Sequence, residues 1–199
     1  MKKFFKIRLF SRLLSTVITL VIIILCVIIA NIEGKSVPMT SILGAYASTL
    51  LVAIILYKFP LRIYISSLFF CVISVGLGSI LRFYDIYSIF DNFTVYDKAV
   101  HIISGFILLD IGYYMMHNLL KKRFGTPNFH VSLFFATFFS IACAALWEIY
   151  EYTADLLLNT YMQGSNDDTM GDIIAGTLGA VIFCVVLLII RKYPFKVDK

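Results

Sequence analysis

The apolar residues of this chain fall into six runs, each about as long as a bilayer is thick, and that pattern restricts the fold more than any other feature. Hydrocarbon offers no partner for backbone N–H and C=O groups, so a spanning segment must satisfy its own, which leaves the helix as the solution for a run of this kind. About 30 Å of hydrocarbon takes about 20 helical residues. The stretches that qualify are 13–30, 37–57, 61–81, 98–120, 131–157 and 172–190. The expected fold is an all-α integral membrane protein, a bundle of six transmembrane helices forming one polytopic domain over 1–199. Sixty per cent of the residues are apolar, against about half in soluble domains, and no stretch remains for a second, soluble domain.

The first run follows Lys2, Lys3, Lys6, Arg8 and Arg12, an arrangement shared by signal peptides and membrane anchors. Its apolar core is long and Ile28 spoils a small-residue cleavage site, so an uncleaved anchor is expected.

Counting Lys and Arg over alternate connections sets the orientation, because short cytoplasmic loops retain positive charge. One set comprises the N-terminal segment, Lys58, Arg62, Lys121, Lys122, Arg123, Arg191, Lys192, Lys196 and Lys199, 14 in all; the other holds 3, Lys35, Arg82 and Lys98. Both termini are therefore expected on the cytoplasmic side. The basic residues form clusters at run ends rather than a stripe, so the net charge of +5 reads as topology and gives no reason to expect a nucleic-acid partner. Cys26, Cys71, Cys143 and Cys184 lie inside apolar runs without CxxC or Cys/His spacing, and neither a disulfide framework nor a zinc knuckle is indicated.

Two connections on the outer side stand out. The segment 82–96 carries Phe83, Tyr84, Tyr87, Phe90, Phe93 and Tyr96, an aromatic density that suits the headgroup layer, and it is expected to lie along the outer interface. The segment 159–168 is polar, contains Gly164 and has no Lys or Arg.

Of twelve acidic residues, all but Glu33, Asp110 and Asp198 sit in or beside the outer ends of the third to sixth runs. Asp97 and His101 are i and i+4 on the fourth helix and share a face. Glu148, Glu151 and Asp155 form a stripe near the end of the fifth, and Asp168 and Asp172 repeat the i, i+4 spacing at the start of the sixth. With alternating helix directions, the three stripes should converge at one depth. Charges at a hydrocarbon boundary cost several kcal/mol unless paired or hydrated, about 2.5–3.5 kcal/mol each at a helix centre, so a wet, protein-lined cavity is expected.

Asp97 and Asp168 have a structural reading as helix N-caps. Glu148 and Glu151 do not: they lie toward a helix C-terminus, which disfavours a carboxylate, and no Lys or Arg on their own helix is in reach. One histidine among several carboxylates suits a hard or borderline divalent cation such as Mg²⁺, Mn²⁺ or Zn²⁺, with His101, Glu148, Glu151 and Asp172 as ligands, or a division of acid and base roles among the same four. These two readings stay open, and no HExxH, GxSxG or Walker-type motif selects a reaction. Asp97, Gln163 and Asp168 are candidates for substrate binding. Gly171, Ala175, Gly176, Gly179 and Ala180 on the sixth helix allow close backbone approach, a packing role. Asp110, on the face opposite His101 and near mid-membrane, is either a proton relay or a hydrogen-bond partner of a neighbouring tyrosine.

Trp147-Glu148-Ile149-Tyr150-Glu151, Asn159-Thr160-Tyr161-Met162-Gln163, and Asp168-Thr169-Met170-Gly171-Asp172 with Gly176-Thr177-Leu178-Gly179-Ala180 resemble the YjdF-like family of bacterial inner-membrane proteins, a family without an assigned activity. The likeness is specific from Asp97 onward and topological before it. Asp97-Lys98-x-x-His101, a glutamate on the next helix, and Asp172 with Gly179 are more distantly similar to the VanZ-like pattern, which implies a role at the cell envelope in glycopeptide resistance. The chain departs from that pattern with Glu151 in place of Gln, Gly176 in place of Asn, and no Arg in the outer loop.

Three functions fit these residues. One is an outward-facing site that acts on or binds an amphiphilic envelope molecule, with Glu148 and Glu151 as base or ligands, His101 as acid or ligand, Asp172 orienting and Gln163 meeting a headgroup. Another is a small cation or proton-coupled carrier using Asp110, and the third a structural or regulatory membrane subunit. Beyond the lipid bilayer itself, the pattern specifies neither substrate nor oligomeric state.

Overall fold

In the structure, a computed structural model, residues 2–86, 88–90, 93–160 and 162–190 are described, with backbone alone for 2–6, 8, 85, 86, 88–90, 93 and 94. Tyr87, Tyr161 and the C-terminal Arg191, Lys192, Lys196 and Lys199 lie outside the described residues, as do the side chains of Lys2, Lys3, Lys6, Arg8, Phe90 and Phe93.

The chain forms two compact units, residues 1–87 and 88–199. In the first, α1 (Lys2–Ile32) ends where Gly34 takes a φ of +70°, a conformation glycine adopts without a Cβ penalty. Pro38 and Pro60 sit at the N-caps of α2 (Met39–Ile55) and α3 (Leu61–Cys71), where a missing N–H costs nothing. Helix α3 continues without a break into a π-helical stretch, Val72–Ile80, whose wider winding shows in the Leu81 N–H donating to the Gly76 carbonyl five residues back, 3.1 Å away. Ile23, Cys26 and Ala30 of α1, Ala45 of α2 and Ile80 and Leu81 at the end of the π-helix make the core of this unit. At the other end of α1 the buried Arg12 guanidinium donates to the Phe59 carbonyl (2.6 Å) and lies 5.6 Å from the ring centres of Tyr57 and Tyr64. A short helix, α4 (Phe83–Ile86), closes the unit.

The second unit opens with a small antiparallel ribbon, β1 (Ser88–Phe90) against β2 (Phe93–Thr94). Three long helices follow: α5 (Val95–Phe124), α6 (Phe129–Leu158) and α7 (Asn166–Ile190). The turns between them have clear chemical causes. Gly125 (φ +76°) ends α5, the Asn128 side chain caps α6 by accepting from the Val131 N–H at 3.1 Å, and Asn159 (φ +53°) ends α6 in the left-handed region that Asn tolerates. The core is Leu109 and Tyr113 of α5, Leu133 and Ala136 of α6, and Ala180 and Leu187 of α7. Outward, the helices present large apolar side chains such as Leu146, Ile149, Leu157, Ile174, Leu178 and Ile189. An apolar exterior around a small-residue interior is the arrangement that lipid favours.

Among the described residues, five helical segments are long and apolar enough to cross a membrane, and α2, with 17 residues, is a shorter apolar helix at the lower end of the spanning range. The chain is thus a helical membrane bundle. The first helix and the last three run longer than hydropathy alone implies, while α2 (Met39–Ile55) is shorter than the expected 37–57; most consequential is α7, which begins at Asn166 rather than near 172. Its polar first turn is hydrogen-bonded helix, and Asp168 belongs to it.

Small residues fix how closely the three helices of the second unit approach. A Cβ on Gly105 would strike the Gly176 carbonyl oxygen and come within 2.9 Å of the Ala180 nitrogen; one on Gly179 would strike the Ile102 carbonyl. The Ser140 hydroxyl of α6 donates to the Gly105 carbonyl at 2.9 Å. The expected packing role of Gly176 and Gly179 is what the structure contains.

Candidate functional site

The close packing sets the register of what lies one turn further along. Helices α5 and α7 run in the same direction and α6 runs against both. Where Gly176 meets Ala144, a Cβ on the glycine would come within 2.9 Å of the alanine methyl and 3.8 Å of the His101 carbonyl. Four residues back on α7 is Asp172, four forward on α6 is Glu148, and four back on α5 is Asp97, so one helical turn brings all three to the same end of the unit.

At that end the Lys98 ammonium is the hub. It lies 2.5 Å from Asp168 Oδ1, 2.7 Å from Asp172 Oδ1 and 3.3 Å from Asp97 Oδ2, with the Asp168 carbonyl also at 3.3 Å. One cation thus ties the first turn of α5 to the first two turns of α7. Lys98 and Asp172 are both buried, and such a pair is stable only when the ammonium's donors are used this fully. His101, also buried, places Nε2 at 3.7 Å from Asp97 Oδ1 and 3.6 Å from Asp172 Oδ1, beyond hydrogen-bond length to either.

Glu148 is 4% exposed, and its Oε1 has no hydrogen-bond partner among the described residues. It lies near enough to Asp97, Lys98 and Asp168 to feel their charges. Glu151 is half-buried and takes a 2.7 Å hydrogen bond from the Trp147 indole, which faces outward.

The structure therefore brings Asp97, His101, Glu148, Asp168 and Asp172 together, with Glu151 at the margin. Neither Asp155 nor Gln163 contributes its side chain to the centre. Asp155 accepts from the Thr160 hydroxyl (2.5 Å) and from the backbone N–H groups of Met162 (2.6 Å) and Gln163 (2.8 Å), pinning the loop to the end of α6. The Gln163 amide lies 3.3 Å from the Thr169 hydroxyl. Ser165, rather than Asp168, caps α7, its hydroxyl accepting from the Asp168 N–H at 3.2 Å, and this leaves the Asp168 carboxylate for Lys98. Asp110 is half-buried on α5, nine residues past His101 and so about 13 Å further along the helix axis.

Sequence reasoning gave Lys98 no role in the site, although it entered as one of three charges on its side of the count and as part of the Asp97-Lys98-x-x-His101 motif. The signal was present: a lysine at the start of an apolar helix beside one acidic stripe and opposite another has an intramembrane cost that only those carboxylates offset.

Asp155 makes a separable prediction. Asp155→Ala should free 159–165 from α6 and cost about 1–3 kcal/mol for the orphaned donors, read as faster protease cleavage within the loop while the helices stay intact. Unchanged cleavage would show that the loop is held elsewhere.

These features define a multi-pass helical membrane protein with a buried, lysine-centred carboxylate cluster at one end of its second unit. The chain belongs to the family described as "Predicted membrane protein (DUF2238)", whose model matches residues 12–193. It is also similar to a Thermotoga maritima protein named "Uncharacterized protein", 29% identical over 117 residues, a match covering 58% of this chain and 55% of the relative. The match thus spans about half of that protein's length. No solved structure matches the chain.

Proposed function

We propose that the cluster is an outward-facing site that binds, or acts on, the polar head of an amphiphilic cell-envelope molecule, in a protein whose two termini are cytoplasmic. The observation that carries this reading is the buried, unpartnered Glu148 oxygen in a cluster flanked by an outward-facing apolar surface. A buried acceptor without a donor costs about 1–3 kcal/mol, more when charged, a cost that a bound headgroup removes. Beside it Trp147, Tyr150 and Ile149 are exposed, so a molecule with its head at Glu148 has an apolar face for its tail. The outer-side assignment rests on the Lys/Arg asymmetry.

The envelope role is what the distant VanZ-like pattern implies. In this reading Glu148 and Asp172 meet the headgroup, His101 assists as acid or ligand, and Asp97 and Asp168 hold Lys98 in place. A purely structural subunit would have every polar atom of the cluster paired internally, and Glu148 counts against it. The carrier reading needs cation-dependent uptake with Asp110 as a relay; no such uptake into vesicles by wild type would remove it, and equal uptake by Asp110→Asn would remove the relay.

The test is the lipid-soluble material that copurifies with the protein. A species enriched with wild type should fall about tenfold or more, the equivalent of 1.4 kcal/mol, in Glu148→Ala and in Asp172→Ala, both still inserted in the membrane. Equal recovery from all three proteins would defeat the proposal.

A further inference from the structure

We infer that Asp97, His101 and Asp172 form a binding site for one divalent cation of the Mn²⁺ or Zn²⁺ kind, with Glu148 facing its open side. The inference deepens the headgroup reading and rests on it for the site's role, though not for its existence.

The first argument is geometric. One ligand atom from each of Asp97, His101 and Asp172 lies within 4.8 Å of the others, and His101 Nε2 is 3.6 and 3.7 Å from the two carboxylate oxygens. Those separations are too long for hydrogen bonds. They are close to the edge of a tetrahedron with metal–ligand arms of about 2.1 Å, about 3.4 Å. Lys98 engages Asp97 through Oδ2, which leaves Oδ1 toward the histidine, whereas on Asp172 it bonds the same Oδ1 that faces His101, so that the ion and the ammonium would share this oxygen.

The second is charge. Asp97, Asp168, Asp172 and Glu148 surround the single Lys98 ammonium, and all lie within apolar helices. The one ammonium pairs with Asp97, Asp168 and Asp172 alike, so the carboxylates outnumber it, and a divalent ion would offset the excess negative charge that is expensive to bury. The third is Glu148 itself, 4% exposed with an oxygen that has no hydrogen-bond partner among the described residues, one turn along α6 from the Gly176–Ala144 contact and so at the same end of the unit as the three ligands. There it can accept a proton or hydrogen bond from water on the metal, a common companion to a three-ligand site with one open position. An imidazole among the ligands favours borderline ions over Ca²⁺ and Mg²⁺. The site differs from the sequence expectation in its members, with Asp97 replacing Glu148 and Glu151 as a ligand.

The experiment uses the full chain in detergent with Mn²⁺ as probe, followed by electron paramagnetic resonance. About one Mn²⁺ per chain should bind in the micromolar range, and Zn²⁺ should displace it where Ca²⁺ does not. A ¹⁴N coupling from the bound ion should persist when His117 and His130, the other two histidines, are changed to Gln, and vanish in His101→Gln. Asp97→Asn and Asp172→Asn should each weaken binding about tenfold or more, and Glu148→Gln by much less, about threefold or under. The persisting coupling is read on chains that keep His101 and so needs no ligand variant to fold, and thermal unfolding of metal-free His101→Gln shows whether that variant is folded. No binding at about 100 μM Mn²⁺, or a nitrogen coupling that survives His101→Gln, would overturn the inference. If Mn²⁺ fails to bind while Glu148→Ala and Asp172→Ala still lose the copurifying amphiphile, the headgroup site stands without a metal; if Mn²⁺ binds and no amphiphile is lost, the metal site stands and the headgroup reading falls.

Discussion

Replacing Lys98 by methionine should destabilise the three-helix unit by about 3–5 kcal/mol, the usual cost of removing one partner from a buried ionic group. Methionine keeps most of the volume and helix propensity, so the loss isolates the charge. Without the ammonium, Asp172, Asp168 and Asp97 lose the group that now sits 2.5–3.3 Å from each, and their mutual repulsion acts between the first turns of α5 and α7. The readout is built in: Trp147, the only tryptophan, bonds to Glu151 beside the cluster and should report unfolding in detergent at a lower temperature than wild type. Asp172→Asn alone removes a charge that Lys98 compensates, whereas in Lys98→Met/Asp172→Asn it removes a charge that is already uncompensated. The double variant should therefore recover part of the single variant's loss, with a coupling of about 0.5–3 kcal/mol. A Lys98→Met protein within about 1 kcal/mol of wild type would mean that the cluster is not held by its lysine.

This dependence marks the boundary between what was readable from sequence and what was not. The acidic stripes were readable because helical periodicity fixes which residues share a face and alternating helix directions fix which ends meet. The centre was not, because side chains from two helices compete for the same few ångströms and only packing decides which group wins. Lys98 wins it through the glycine-mediated approach of α5 and α7, and Asp155 loses it because three donors in the following loop take its carboxylate. The early start of α7 escaped for another reason: Asn166, Asp167 and Asp168 look like loop to a hydropathy window, yet a polar, acidic first turn suits a helix N-terminus. The same misplacement hid Ser165 as the cap. In the first unit, neither the π-helical winding of 72–80 nor the burial of Arg12 has a pattern in the sequence that announces it.

The second large effect is steric and reaches the cluster from two turns away on α7. Gly179→Val should weaken the α5–α7 contact by at least the 1–3 kcal/mol typical of overpacking, because the added Cβ meets backbone. It would strike the Ile102 carbonyl oxygen and lie 2.9 Å from its carbon and 3.0 Å from the Ile102 Cα, and none of these atoms can rotate aside. Relief requires α7 to move away from α5. That movement carries Asp172, two turns back on α7, away from Lys98 and His101, so stability and Mn²⁺ binding should fall together although Gly179 touches neither charge nor metal. Gly44 in α2 has nothing within 4 Å of an added Cβ, and Gly44→Ala should be neutral or stabilising by up to about 1 kcal/mol, the ordinary helix-propensity gain. Thermal unfolding of Gly179→Val and Gly44→Ala, with Mn²⁺ titrated into each, separates the two cases: a Gly179→Val protein that unfolds like wild type and still binds the ion would show that the helices do not depend on this contact for the geometry of the cluster.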